Sequence, residues 1–123
     1  MTPVWIAIAG GLGSALRYGV GVALAGRAGG LPLATLAVNV IGSWLLGIVA
    51  EALRGRILAG VDLYLVLGVG LLGGFTTYSS FNLELVRMVE GGAIGRAALY
   101  LVATVVGCLA AGALGITLVR WVR

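Results

Sequence analysis

The sequence predicts an all-α integral membrane protein with four transmembrane helices, the third of them broken. Three observations carry that reading. Hydrophobic residues make up 61% of the 123 residues and charged residues 10%, against roughly 45–50% and about 25% in soluble domains. The few charges are spaced so that long apolar runs lie between them. One of those runs contains two adjacent glycines followed by a cluster of hydroxyl side chains. The length suits one domain, residues 1–123.

The charges locate the spans by subtraction. Charge-free runs cover 28–50, 63–83 and 97–119, each long enough for a bilayer core, which needs about 20 helical residues. A further run from Val4 to Gly26 is broken only by Arg17. The expected spans are 4–26, 32–53, 62–89 and 95–121. Helices are the default because an isolated strand leaves its backbone polar groups unpaired in lipid. Ala23-Leu24-Ala25 has the form of a signal-peptidase site, but no cation precedes the apolar run and Arg17 interrupts it. The first segment therefore reads as a retained span.

Orientation is nearly undetermined by charge. Both termini and the 54–61 loop share one side, which carries Arg54, Arg56, Arg120 and Arg123; the other side carries Arg27, Arg87 and Arg96. The positive-inside rule needs an imbalance to choose a direction. So small a difference permits insertion both ways, and hence an antiparallel dimer; the alternative is that a slight bias still fixes one direction.

In the first span, Arg17 either snorkels towards the 27–32 side or draws an anion into a vestibule. In the second, Asn39 lies near mid-span. It is either an interhelical hydrogen-bonding group or an N–H donor to an anion in a pore. In the third, Gly68-Val69-Gly70-Leu71-Leu72-Gly73 spells a dinucleotide-binding fingerprint, a weak signal in a chain with no room for the βαβ unit it needs. Gly73-Gly74-Phe75-Thr76-Thr77-Tyr78-Ser79-Ser80 comes next. Glycine pairs weaken a helix, and a break is expected near Gly73 to Thr77. Such backbone is tolerated in a membrane only where it is buried or lines water; the alternative is a kinked helix whose hydroxyls bond back to their own carbonyls. Glu84, later in this span, is expected to pair with an arginine or with helix-end donors. The last span carries two stripes. Ala103, Gly107, Ala111 and Gly115 form a small-residue packing face. Tyr100, Thr104 and Cys108, with Gly112 continuing the spacing, form a more polar one that lines a pathway or makes a hydrogen-bonded seam.

Several function classes are excluded. There is no histidine, no paired carboxylate and no Cys/His metal set, so acid–base, nucleophilic and metal catalysis lack parts. The net charge of +4 is scattered, which argues against nucleic acid. Cys108 is the one cysteine, and no disulfide forms within the chain. Amides, hydroxyls and aromatic ring edges, the positive rim of the ring quadrupole, suit a small anion.

With these residues the chain resembles a known family, the small bacterial fluoride channels called CrcB or Fluc proteins. The resemblance rests on Gly10-Gly11-Leu12-Gly13-Ser14-Ala15-Leu16-Arg17-Tyr18, on Thr35-Leu36-Ala37-Val38-Asn39-Val40-Ile41-Gly42, and on Gly73-Gly74-Phe75-Thr76-Thr77-Tyr78-Ser79-Ser80-Phe81. It covers essentially the whole chain. It implies a dual-topology antiparallel homodimer in the bacterial inner membrane, with two passive fluoride pathways that export cytoplasmic fluoride. The implied pathway residues are Asn39, Tyr78, Ser79, Phe81, Tyr100 and Thr104, with Arg17 in the aqueous mouth. A structural sodium ion would be held at the dimer centre by the backbone carbonyls of Gly73 and Thr76 from both subunits. Tyr78 stands where the family usually has phenylalanine; it keeps the ring edge and adds a hydroxyl. Cys108 and Gly112 replace hydroxyl residues that other members often carry. The competing class, small multidrug exporters, shares the four-span dimer but needs a membrane-embedded carboxylate to exchange protons, and Glu84 is the sole candidate.

Overall fold

Local chemistry sets where each helix starts. Pro3 sits in the first turn of α1 (Thr2–Ala23), where its missing N–H is no loss. Pro32 precedes α2 (Leu33–Leu53) in the same way. The computed structural model describes residues 1–27 and 29–123; Ala28, in the loop expected between the first two spans, lies outside the described residues. α1 stops three residues short of the expected Gly26, because Gly26 takes a left-handed turn (φ 74°).

The loop after α2 is not featureless. Ile57–Leu58 (β1) pairs antiparallel with Val61–Asp62 (β2), and Ala59 and Gly60 between them both have positive φ, 50° and 76°. That is the turn chemistry of a two-residue hairpin. It lies in the loop expected after the second span and leaves the membrane fold all-α, with helical turns resuming at Leu63. Asp62 ends the hairpin, and its Oδ1 accepts from the amides of Tyr64 at 2.8 Å and Leu65 at 3.4 Å. This satisfies amides that a helix start leaves without partners.

Beyond the hairpin, residues Leu65–Leu72 form a π-helical segment. Its wide turn runs to the amide of Gly73, which reaches back five residues to the carbonyl of Gly68. Extended π-helix is rare and concentrates at functional sites. One short turn, α3 (Gly73–Phe75), comes next. Thr76 (φ −85°, ψ 160°) and Thr77 (φ −153°, ψ 114°) are extended, and α4 (Tyr78–Glu90) begins with the Thr77 side chain accepting from the amide of Ser80. α5 (Ile94–Val122) runs unbroken to the C-terminus. Among the described residues, α1, α2 and α5 are each long and apolar enough to cross a membrane.

Glycine permits the packing. A Cβ on Gly13 would collide with the carbonyl oxygen of Leu71, and one on Gly74 with that of Gly10. α1 and the π segment therefore touch backbone to backbone. The fingerprint glycines serve this approach: a Cβ on Gly70 would lie 2.9 Å from the Ile6 carbonyl. α2 and α5 run parallel in the same intimate way, with Gly47 against the Gly112 carbonyl and Gly115 against that of Trp44. The small-residue face of α5 is thus its seam with α2. Large apolar side chains such as Leu12, Leu109 and Leu114 point outwards, as lipid-facing helices require.

Candidate functional site

The extended pair Thr76–Thr77 is held by Asn39. Its Nδ2 donates to the carbonyl of Thr77 at 3.0 Å, and its Oδ1 accepts from the amide of Thr77 at 2.8 Å. Both residues are buried. The side chain acts as a short strand would, satisfying both backbone groups of one residue. One N–H of the Asn39 amide remains.

Two carbonyls lose their helical donors as a result. In a continuous helix, Gly73 would accept from Thr77 and Thr76 from Ser80. Here the Thr77 amide turns to Asn39 and the Ser80 amide turns to the Thr77 hydroxyl at 3.2 Å. The Thr77 hydroxyl also contacts those of Ser79 and Ser80, at 3.3 and 3.1 Å. The carbonyl oxygens of Gly73 and Thr76 are hard donors of the kind that suit an alkali cation. Among the described residues no His/Cys/Asp/Glu cluster could hold a metal ion.

An open cleft of about 380 Å³ lies against the break. Asn39, Tyr78, Phe81, Thr104 and Cys108 are among the residues lining it. The hydroxyl of Thr104 is buried without a hydrogen-bond partner, which a buried polar atom seldom is. The aromatic rings form a short ladder: Tyr78 to Phe81 at 5.9 Å between centroids and 60°, then Phe81 to Tyr100 at 5.2 Å and 64°, edge to face. Phe81 is buried, whereas Tyr78 is 78% exposed.

A second cavity, of about 350 Å³, lies on the other side of Thr77. Arg17, Thr35, Ser80 and Glu84 line it, and Thr77 borders both cavities. Arg17 is partly covered there. Among the described residues Glu84 pairs with neither an arginine nor a helix end. It accepts from the hydroxyl of Thr35 at 2.8 Å and that of Tyr100 at 2.7 Å. Hydroxyls from α2 and α5 therefore meet a carboxylate of α4. That corrects the expectation for Glu84 and commits the Tyr100 hydroxyl to it.

The expected site residues thus divide. Asn39, Tyr78, Phe81 and Thr104 share the cleft, and Arg17 lines the neighbouring cavity. Tyr100 lies behind Phe81, and Ser79 sits at the Thr77 hydroxyl on the exposed side. Thr35 and the role of Glu84 escaped the sequence reading. Their signal was present: Thr35 and Asn39 are four residues apart on α2, as are Tyr100 and Thr104 on α5, which places each pair on one helix face.

The sequence model of the CrcB-like family (CrcB-like protein, Camphor Resistance) matches residues 4–116. A protein of Anaeromyxobacter dehalogenans named fluoride-specific ion channel FluC is 50% identical over 119 residues, covering 94% of this chain and 93% of its own. One of Agrobacterium fabrum with the same name is 44% identical over 116 residues, covering 94% and 93%. One of Thermus thermophilus, again so named, is 45% identical over 96 residues, covering 77% and 76%.

Proposed function

The chain belongs to the CrcB-like family, and from that premise we propose that it is a passive, fluoride-selective channel that exports fluoride across the bacterial inner membrane. It is a multi-pass membrane protein and not an enzyme. Its relatives are named for the same ion. The observation that carries the reading is the unpartnered Thr104 hydroxyl, buried in a cleft that it shares with the amide of Asn39 and the ring of Phe81. Fluoride is small and strongly hydrated, so a pore must replace its water with closely spaced donors. A hydroxyl, an amide N–H and a ring edge are such donors, and no carboxylate lines this cleft to repel the ion.

The fluoride route runs from the vestibule at Arg17, past Thr77, and into the cleft of Asn39, Tyr78, Phe81 and Thr104. Ser79 and Tyr100 flank it. The near balance of arginines between the two sides supports insertion in both directions, and so an antiparallel homodimer with one pathway per subunit. The wide exposure of Tyr78 suits coverage by that second copy. The freed carbonyls of Gly73 and Thr76, with those of the second copy, fit a structural sodium ion at the dimer centre. Bound there, sodium would give these carbonyl dipoles the partner that the interrupted helix withholds and would link the two copies.

Expression in a bacterium lacking its own fluoride exporter tests the function. Growth in fluoride medium should be restored, and it should be lost again with Asn39→Asp. Failure of the well-expressed wild-type chain to restore growth would contradict the proposal.

A further inference from the structure

The end of the bundle where α2 and α5 both terminate lies away from the cleft. Beside their glycine seam is an open groove of about 540 Å³ lined by Trp44, Leu114, Thr117, Leu118 and Trp121. The four α5 residues fall at i, i+3, i+4 and i+7, a single outward stripe. Leu114 is 63% and Trp121 89% exposed. The one hydroxyl in the groove, that of Thr117, donates to the carbonyl of Leu114 at 3.0 Å, so the lining is mostly apolar, with the two indole N–H groups as its remaining donors. From Trp44 to Glu51, α2 rises about 10 Å at 1.5 Å per residue, within the about 15 Å of one hydrocarbon leaflet. With the charged end of α2 at Glu51 placed at the membrane–water boundary, the groove would run from there into one leaflet.

The charge at its mouth is one-sided. Arg120 donates to both oxygens of Glu51, at 3.1 and 3.3 Å, and this is the one ion pair among the described residues. Arg123 rests on the carbonyl of Ala52 at 3.0 Å, which neutralises nothing. Arg54 lies two residues further along the chain, and Arg54 and Arg56 are both exposed.

We propose that this groove binds an anionic phospholipid, with the phosphate held by Arg123 and Arg54 and one acyl chain lying along Trp44, Leu118 and Trp121. Tryptophan favours the membrane boundary, and arginines there attract anionic headgroups. A zwitterionic lipid would give the groove the same chain and phosphate, but its headgroup cation would offset the attraction to the arginines.

The test uses the full chain with Trp5→Phe, which leaves Trp44 and Trp121 as the only indoles among the three tryptophans. The protein is reconstituted in phosphatidylcholine vesicles with a small fraction of brominated-chain phosphatidylglycerol, or the same fraction of brominated-chain phosphatidylcholine. Phosphatidylglycerol should quench the indoles more deeply. Arg54→Gln and Arg123→Gln should each lower its relative affinity by about fivefold. Equal quenching by the two lipids in the unaltered arginine background overturns the proposal without recourse to any variant. So does a phosphatidylglycerol preference that survives the loss of both arginines. Quenching by neither lipid, with indole emission that shifts as the protein is diluted in lipid, would overturn it in favour of a second copy covering the groove.

Discussion

The side chain of Asn39 and the backbone of Thr77 pair reciprocally, at 3.0 and 2.8 Å, and this pairing ties α2 to the extended residues between α3 and α4. It satisfies Thr77 and, by diverting its amide, releases the carbonyl of Gly73. One side chain thereby serves both the stability of the break and the polarity of its surroundings.

Asn39→Asp should damage both. One oxygen would still accept from the Thr77 amide, but the other would face the Thr77 carbonyl with no proton to offer. A buried acceptor left opposite an acceptor costs about 1–3 kcal/mol. The variant should melt earlier and pass less fluoride. Unaltered melting and flux would remove the pair from the account.

Thr104→Val should separate function from stability. The Thr104 hydroxyl has no hydrogen-bond partner among the described residues, so replacing it with a methyl strands no other group. The melting temperature should hold or rise, because burying an unsatisfied hydroxyl is itself unfavourable. Fluoride efflux should fall. A destabilised variant with normal efflux would make Thr104 a packing residue.

Glu84→Gln probes the junction of three helices. Its amide would present N–H groups towards one of the two hydroxyls that now donate to the carboxylate, those of Thr35 and Tyr100. Charge-assisted hydrogen bonds contribute about 1.5–3 kcal/mol each. A double-mutant cycle with Tyr100→Phe should therefore show that the two changes are not additive. Strict additivity would mean that the contact carries no energy.

Gly13→Ala should disrupt the contact between α1 and the π segment, since its Cβ would run into the Leu71 carbonyl. Overpacking of this kind costs about 1–3 kcal/mol. Gly95→Ala, where a Cβ meets nothing within 4 Å, should be neutral or slightly stabilising in a melting assay.

The apolar runs were legible because membrane helices need length and hydrophobicity, both of which a sequence displays directly. Asn39 and the hydroxyl cluster were conspicuous for the same reason, as polar groups where few are tolerated. Their pairing was not legible. Whether Asn39 glued helices or faced a pathway depended on which group took the Thr77 amide, and that is a tertiary fact. The π form of Leu65–Leu72 was equally hidden, because in a stretch that is apolar on every side no periodicity separates a five-residue turn from a four-residue one. Glu84 found its partners on two other helices, and local sequence could name only arginines and helix ends. The hairpin at 57–62 hid in a loop whose Ala59-Gly60 turn lacks the usual asparagine or aspartate before glycine.

The central claim is that the donors around the break select fluoride. The most direct measurement is ion efflux from liposomes containing the purified full chain, with fluoride and chloride followed in the same vesicles. Fluoride should leave rapidly and chloride should stay, and Asn39→Asp should abolish the fluoride phase. Comparable efflux of both ions, or none of either from a folded protein, would contradict the account.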